Sequence, residues 1–454
     1  MEDNNRKSSA VNRRDFIASS SLVGLMAFVG RSGLIAQAQS DSPAPSYAGP
    51  KVKVGLIGLG LWGREILSNL GRLPQADVAA ICDYYPAFLR RGARIAPEAE
   101  QAEDYTALLN NSEIKAIIVA TPTHQHREIA IEALQAGKHV YCEAPLAHTI
   151  EDARAIGLAA KSAGGQVFQA GLQFRADPQR HFLLPFIRSG ALGRWVMARL
   201  QYFKKQSWRL ASSNPEREKE INWRLDDKLS LGLIGEIGIH QLDQVGWFMG
   251  QRPTAVAGNG AIRLWDDGRT VPDTVHSHVE YADSVNTYFD ASLASSFGGE
   301  SEVYHGTDAT VLMRESKAWM FKEVDSPLLG WEVYASKEQF HDDTGIVLKV
   351  GGSLQKNMGA DEAKSVEPEK PPLYHALNAF LTNCSAVDIA RKDFVEMFGA
   401  EDAQAVADHL ASVMLVPAAN ADEGFAATAL AIKANEAVMK QDRLILNNDL
   451  FQLG

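Results

Sequence analysis

A glycine-rich turn between a short apolar strand and a helix constrains the fold of this chain more than any other feature. Residues 51–57 (KVKVGLI) predict a strand, residues 58–63 read GLGLWG, and residues 64–73 predict a helix. The first glycine permits a tight turn, the second lets the backbone approach a pyrophosphate, and the third lets the helix pack on the strand. The motif alone is weak, but in this context it predicts a dinucleotide-binding loop. Its predicted cofactor contacts are Gly58, Gly60, Leu61, Trp62 and Gly63.

An acidic residue bears on the choice of dinucleotide. The second predicted strand, residues 77–82, ends in Asp83. A carboxylate at this place can accept hydrogen bonds from both ribose hydroxyls of an adenosine, and it repels a 2′-phosphate, which favours NAD over NADP. The alternative is an ordinary loop acid that faces solvent. Because Arg90 and Arg91 follow on the next predicted helix, NADP is not excluded.

Strands and helices continue to alternate after this point. Predicted strands at 114–120, 138–142 and 166–170 alternate with predicted helices at 127–136 and 149–164. This alternation is typical of a parallel, doubly wound α/β sheet, which binds its ligands beyond the carboxyl ends of the strands. The further candidates for cofactor binding at those ends are Thr121, Pro122, His126 and Glu143.

Charge and cysteine content exclude several classes of protein. The chain has 454 residues, enough for two or three domains, and a net charge of −11. A chain this acidic, with no basic stripe, has no electrostatic footprint for nucleic acid. Its three cysteines are too few and too scattered for a disulfide framework or a zinc site, so we expect buried thiols. We predict no metal site.

The first 38 residues have the layout of a bacterial export signal. Arg13 and Arg14 precede a moderately apolar run at 22–29, and a small-x-small sequence follows at 36–38. A paired arginine in this position points to the Tat route and a periplasmic destination. The alternative is a chance Arg-Arg pair in a flexible terminus. Residues 39–50 then predict a linker, and no later segment is apolar enough to cross a membrane.

Four motifs, in order and spacing, resemble the Gfo/Idh/MocA oxidoreductases, which include glucose-fructose oxidoreductase and inositol dehydrogenase. They are GLGLWG at 58–63, ATPTHQH at 120–126, AGKHVYCEAPLAHT at 136–149 and GEIGIHQLDQVGWFMG at 235–250. The resemblance, which covers roughly residues 51 to 450, implies a Rossmann NAD(P)-binding domain over 51–172. It also implies a C-terminal domain over 173–454, built on a large, open, mostly antiparallel sheet. Such proteins oxidise or reduce carbons of sugars and cyclitols, and they commonly form homo-oligomers through that sheet.

The chain departs from the family pattern at two places that bear on mechanism. The family's Glu-Lys-Pro is replaced by Glu143-Ala144-Pro145, so the lysine that hydrogen-bonds the reacting hydroxyl in the family is missing. The family's Asp-x-x-x-His is replaced by Glu236 and, four residues later, His240. On one helix these two side chains would share a face. The resemblance makes His240 the general base, with Glu236 as a second catalytic candidate that could equally cap or orient the helix.

The second domain also contains residues suited to a carbohydrate. Aromatic rings pack on sugar C–H faces, while Arg and Gln hydrogen-bond hydroxyls. The alternative is that the tryptophans are core residues and the arginines lie at the surface. His276 and His278 have no partners at metal-ligand spacing, so we interpret them as surface or packing residues. The predicted substrate-binding residues are Gln173, Arg175, Trp223 and Asp243.

An exported enzyme that uses NAD cannot depend on free cofactor, because free NAD is scarce outside the cytoplasm. Tat substrates are exported folded, so we expect a tightly bound cofactor that is reduced and reoxidised in place. An oxidoreductase that couples two carbohydrates meets this condition. So does a glycoside hydrolase that oxidises its substrate transiently. A third alternative, suggested by Ala144, is a cofactor-binding protein with impaired catalysis.

Overall fold

The computed structural model describes residues 50–328, 330–333, 335–340, 343–349 and 370–454. The larger of two compact units contains both β-sheets, and the described part of the smaller unit includes the 3-10 turn Gly330–Val333. The predicted export signal and nearly all of its linker lie outside the described residues. Among the described helices, none combines the length and apolar character needed to cross a membrane.

The first sheet is the predicted dinucleotide-binding sheet. It has six parallel strands in the order β3-β2-β1-β4-β5-β6, as a doubly wound sheet requires. The predicted α/β fold class is therefore confirmed. The strands are β1 (Val52–Ile57), β2 (Ala76–Cys82), β3 (Glu100–Ala102), β4 (Ala116–Val119), β5 (His139–Cys142) and β6 (Phe168–Ala170).

Helices connect these strands, and glycines permit the tightest connection. Gly58 has φ +97°, a conformation that L side chains rarely adopt. A Cβ at Gly63 would lie 1.9 Å from the Gly58 carbonyl oxygen, so only glycine lets the first helix approach the turn this closely. The helices are α1 (Leu61–Leu70), α2 (Pro86–Ala93), α3 (Thr106–Asn110), α4 (His126–Gln135) and α5 (Ile150–Ser162).

The second sheet has ten strands in the order β14-β15-β13-β12-β11-β7-β10-β9-β8-β16. All neighbouring pairs are antiparallel except β7 and β10, which confirms the predicted mostly antiparallel sheet. The strands are β7 (Trp195–Phe203), β8 (Ala255–Ala261), β9 (Thr274–Glu280), β10 (Asn286–Ser292), β11 (Glu300–Gly306), β12 (Ala309–Arg314), β13 (Lys317–Lys322), β14 (Lys337–Phe340), β15 (Asp343–Leu348) and β16 (Arg443–Ile445).

The remaining helices link the two sheets or pack on them. They are α6 (Pro178–Phe186), α7 (Pro215–Ile221), α8 (Gly232–Glu236), α9 (Gly238–Met249), α10 (Pro372–Phe398), α11 (Ala403–Ala411) and α12 (Ala421–Lys440). A capping box begins α12: Glu423 N–H donates to the Asn420 side chain, while Asn420 N–H donates to the Glu423 carboxylate. Both exchanges satisfy N–H groups that the helix itself leaves free.

The first sheet is covered on both faces by apolar side chains. On one face Ile117 belongs to a buried cluster with Phe425 of α12. On the other face Ile118 belongs to a cluster with Leu377 and Phe380 of α10. Both helices belong to the predicted second domain, but their apolar residues complete the core of the first sheet.

Candidate functional site

The glycine-rich loop leaves open space where a dinucleotide phosphate needs it. A Cβ built at Gly60 would meet no protein atom within 4 Å, in contrast to Gly58 and Gly63, which are tightly enclosed. Arg64, on the first turn of α1, donates a hydrogen bond to the Leu59 carbonyl oxygen at 2.6 Å and so stabilises the loop. The loop therefore offers close backbone approach at one glycine, while the other two hold its shape.

Asp83 is buried at the end of β2 and is engaged by the backbone. Its carboxylate accepts N–H bonds from Leu59 at 2.7 Å and from Tyr85 at 2.8 Å. Burial raises the pKa of Asp83, while these two hydrogen bonds and the nearby Arg64 charge act in the opposite direction. Asp83 thus fastens the glycine-rich loop to the β2 end. A contact with the cofactor ribose stays a prediction.

His126 joins the loops that follow β4 and β5. Its Nδ1 lies 3.0 Å from the Pro145 carbonyl oxygen, and its Nε2 lies 2.9 Å from the Thr121 carbonyl oxygen. Burial lowers the pKa of His126 to about 4, so the neutral ring donates its single N–H to one of the two carbonyls. The side chain holds Thr121 and Pro122 in place, and a direct cofactor contact by His126 is not needed for that role.

Glu143 is a buried carboxyl group at the end of β5. Burial raises its pKa to about 7, against the opposing influence of the Trp62 indole and the Arg224 charge. Among the described residues, its Oε1 has no hydrogen-bond partner, and neither has the Thr121 hydroxyl at the end of β4. Buried polar atoms are rarely left unpaired in native proteins, so these two point to a ligand at this edge of the sheet.

Glu236 does not share a helix with His240, and that prediction was wrong. Helix α8 ends at Glu236 and α9 begins at Gly238, with Ile237 at φ −115° between them. Close packing requires glycine at the start of α9, because a Cβ at Gly238 would lie 2.9 Å from the Phe289 ring of β10.

The Glu236 carboxylate instead links separate parts of the chain through hydrogen bonds. It accepts from the Thr123 hydroxyl at 3.1 Å, from the Ser230 hydroxyl at 3.3 Å and from Leu231 N–H at 3.2 Å. Burial raises its pKa. These bonds tie the second domain to the loop after β4, a role nearer to the predicted orienting function than to direct chemistry.

His240 keeps a nitrogen free for a ligand. Its ring lies 5.6 Å from the Phe174 ring, measured between centroids, and its Nδ1 has no partner among the described residues. Burial lowers its pKa to about 4, so the imidazole is neutral near pH 7. A neutral ring can accept a proton, as a general base must.

Arg175 and Asp243, both predicted to bind substrate, pair with each other. The Arg175 guanidinium donates to both Asp243 oxygens at 2.8 Å, to Glu423 at 2.5 Å, and lies 5.0 Å from the Trp247 ring centroid. Both members of the pair are buried. The pair joins the 3-10 turn Gln173–Ala176 to α9 and to the start of α12. Direct contact of either residue with substrate stays a prediction, as does that of Gln173.

A connecting segment, residues 204–231 between β7 and α8, reaches back to the first sheet. The Tyr85 hydroxyl after β2 donates to Glu220 of α7, and the Arg217 guanidinium lies 5.3 Å from the Tyr85 ring centroid. Further along, the buried Trp223 ring lies 6.1 Å from the ring of His124, after β4. The sequence analysis identified Trp223 but missed the contacts of α7, because nothing in the sequence pairs them.

The residues present fit a dinucleotide. An open glycine, helix N–H groups, an acidic residue at the β2 end and unpaired polar atoms after β4 and β5 all lie at the carboxyl edge of the first sheet. No group of three or more metal-ligating side chains occurs in the part of the chain that the structure describes.

Family comparisons agree with this geometry. Residues 52–171 match an oxidoreductase family described as an NAD-binding Rossmann fold, and residues 185–312 match the GFO/IDH/MocA C-terminal domain. The two matches together cover more than half of the chain.

Individual relatives are more distant. Levoglucosan dehydrogenase of Pseudarthrobacter phenanthrenivorans is 29% identical over 223 residues, which are 47% of this chain and 54% of that protein. Alpha-N-acetylgalactosaminidase of Shewanella oneidensis is 26% identical over 234 residues, 47% of this chain and 50% of that protein. The chain thus spans about half the length of these curated relatives. A solved levoglucosan dehydrogenase, in complex with NADH and levoglucosan, is similar in fold: its TM-score is 0.60 over 87% of this chain and 99% of that chain, at 19% identity.

Proposed function

This chain belongs to the Gfo/Idh/MocA family of oxidoreductases, and from that premise we propose that it oxidises or reduces a hydroxyl-bearing carbon of a sugar or cyclitol with a tightly held NAD. The observation that carries the proposal is the neutral imidazole of His240. Its Nδ1 is buried without a partner among the described residues, as are the Thr121 hydroxyl and Glu143 Oε1 at the carboxyl edge of the first sheet. Such a site can take a proton from a hydroxyl while the carbon loses hydride.

In this scheme each residue has a limited task. The glycine-rich loop and Asp83 hold the dinucleotide, and bound NAD supplies a hydride acceptor. His240 receives the hydroxyl proton in oxidation and returns it in reduction. Glu236 holds His240's domain against the loop after β4 through Thr123.

The connecting segment supports the proposal of a retained cofactor. Its Glu220 and Trp223 contact residues after β2 and β4, at the edge of the sheet where a dinucleotide enters. Such contacts must loosen before a bound dinucleotide can leave, which slows its release. Retention of the cofactor also suits export through the Tat route. The paired Arg13 and Arg14 support that route. Replacement of both by lysine should then keep the protein in the cytoplasm, as cell fractionation would measure.

A homo-oligomer formed through the second sheet is also proposed. On the face opposite to buried Phe289, the exposed Tyr288 ring stacks on His278 at 5.0 Å, and His276 pairs with Asp290 at 2.6 Å. An ordered face of this kind suits association with a second copy. Light scattering on wild type and on a Tyr288→Arg variant tests this, since a monomeric wild type would contradict it.

One observation favours a second candidate, a glycoside hydrolase that oxidises transiently. Ala144 has no amine to assist net alcohol oxidation, and a relative of similar identity is an alpha-N-acetylgalactosaminidase. Net hydrolysis would leave the cofactor unchanged after each turnover.

The deciding experiment begins with mass spectrometry of the cofactor released from the purified protein. The holoprotein is then given a panel of sugars, cyclitols and nitrophenyl glycosides. A change in NADH absorbance supports the oxidoreductase, and nitrophenol release at constant absorbance supports the hydrolase. If cofactor is bound but neither NADH absorbance nor nitrophenol release changes, the protein is a binding protein, and the oxidoreductase and hydrolase proposals both fail.

A further inference from the structure

Two tryptophans of the connecting segment hold an arginine at the candidate site. The Arg224 guanidinium carbon lies 4.9 Å from the Trp223 ring centroid and 5.9 Å from that of Trp208. Cation–π contacts of this kind position a guanidinium without using its N–H groups. We call these three residues the Trp–Arg cluster.

The donors of Arg224 remain available. The side chain is half-buried, and no hydrogen bond or ion pair joins it to any residue in the described ranges. A guanidinium carries five N–H donors in a fixed planar fork. When such a group is partly removed from water and left unpaired, an incoming anion gains more from it than from a solvated lysine.

The cluster lies beside the loop that follows β4. Burial raises the pKa values of Glu143 and Glu236, and the Arg224 charge opposes that rise, although Arg224 forms no ion pair with either. The Trp223 ring lies 6.1 Å from that of His124, which in turn lies 6.1 Å from that of His148. Within the described part of the chain, Nδ1 of both histidines is buried without a partner.

The backbone is strained where the cluster begins. Trp208 has φ +65°, which is rare for a bulky side chain. Strain of this kind persists only where the surroundings impose it, and it concentrates at ligand sites. Trp208 is therefore held by its surroundings rather than by local preference, and its ring contacts Arg224.

We propose that Arg224 is the anion-binding residue of the substrate site, and that the substrate is a carbohydrate bearing a carboxylate, of the uronic acid class. This deepens the proposed function and rests on it. The guanidinium fork matches the two oxygens of a carboxylate, while the tryptophan rings offer apolar surface to a sugar ring. Arg224 supplies one positive charge, which balances a monoanion but leaves one charge of a phosphate dianion uncompensated.

The anion could instead be the cofactor pyrophosphate, so the experiment separates the two sources. Isothermal titration of the full chain, saturated with NADH, compares glucuronate with glucose, galacturonate with galactose, and mannuronate with mannose. At least one uronate should bind about tenfold or more tightly than its neutral partner, as expected for a hydrogen-bonded charge pair. Arg224→Met should abolish that preference, and Arg224→Lys should restore part of it.

Lys219→Met is the matched control, since it removes one positive charge from the exposed face of the same segment. It should leave the uronate preference unchanged. An NADH fluorescence titration of each variant verifies that the dinucleotide site is folded. The proposal is overturned if no uronate is preferred by the wild type, or if Lys219→Met removes the preference as fully as Arg224→Met.

Two further outcomes separate this inference from the proposed function. If Arg224→Met weakens NADH binding about tenfold while the uronate preference persists, the anion is the cofactor's and the inference fails. If neutral sugars change NADH absorbance with no uronate preference, the oxidoreductase stands and the inference fails. If the preference depends on Arg224 but absorbance never changes, the inference stands and the oxidoreductase fails.

Discussion

The Thr123 hydroxyl donates a hydrogen bond to the Glu236 carboxylate, with 3.1 Å between the two oxygens. Thr123 belongs to the loop after β4 of the first sheet, and Glu236 ends α8 of the second domain. The bond therefore joins the first sheet to the second domain. His240 follows four residues after Glu236, on α9.

Replacement of Glu236 tests whether the carboxylate positions or reacts. Glu236→Ala leaves the Thr123 and Ser230 hydroxyls and Leu231 N–H without their acceptor, so urea unfolding should show a loss of about 1–3 kcal/mol. Glu236→Gln keeps one acceptor oxygen and should retain most of the stability and turnover. If Glu236→Gln instead keeps its stability and loses turnover by orders of magnitude, the carboxylate has a direct chemical role.

Gly60 tests the dinucleotide site without disturbing the fold. Its φ of −58° lies outside the left-handed region, and a Cβ there meets no protein atom, so Gly60→Val should fold. The added side chain should block close approach of the phosphates and weaken NAD binding about tenfold or more, as titration of NADH fluorescence measures. Gly63→Ala is the contrast, because its Cβ collides with the Gly58 carbonyl and should lower the melting temperature. Undiminished NAD binding by folded Gly60→Val would place the cofactor elsewhere.

Asp83 should set the preference for NAD. Asp83→Ser removes the charge that repels a 2′-phosphate, so the ratio of NADP to NAD affinity should rise. Because Asp83 also accepts N–H bonds from Leu59 and Tyr85, this variant should lose stability too. Asp83→Asn, which keeps the size and one acceptor, controls for that loss. An unchanged affinity ratio in both variants would confine Asp83 to holding the loop.

His240 should carry the proton transfer. His240→Ala should lower turnover by about 10²–10⁴-fold on a confirmed substrate, the usual contribution of a general base. NADH affinity should change little, because His240 lies on the second domain rather than on the glycine-rich loop. His409→Ala, on α11, is the control. Near-wild-type turnover in His240→Ala would mean that another residue of the site is the base.

Glu143 should give the protein a characteristic dependence of stability on pH. Burial raises its pKa from 4.5 to about 7, so between these values the folded protein holds a proton that the unfolded chain has lost. This contribution to the free energy of unfolding is full below pH 4.5 and declines as pH rises to 7, by up to about 1.4 kcal/mol per unit. Glu143→Gln removes the decline, so its stability relative to wild type should grow from pH 5 to pH 7. Exposed Glu98→Gln should show a constant difference in the same urea series.

The sequence by itself determined the local elements of the dinucleotide site. A tight turn, a close helix approach and an open backbone position each demand glycine, and these demands act within a few residues of one another. Alternating strands and helices then predicted five of the six strands of the first sheet, while the short β3 and α3 were not predicted. Motif spacing also indicated His240 and Glu143 as candidate site residues.

Only the tertiary structure decided how the polar side chains are partnered. The sequence predicted that Arg175 and Asp243 bind substrate. They form a hydrogen-bonded ion pair with each other, although 68 positions separate them in the chain. The sequence predicted Glu236 on one helix with His240, but α8 ends at Glu236 and α9 begins at Gly238.

The same limit applies to contacts between distant segments. The connecting segment returns to the first sheet, where Trp223 lies beside His124, and Leu377 of α10 completes that sheet's core. Apolar periodicity is a local signal, since it follows from the geometry of one helix or strand. A charged side chain has no such period, and its partner depends on which distant segment the packing of apolar surfaces brings beside it.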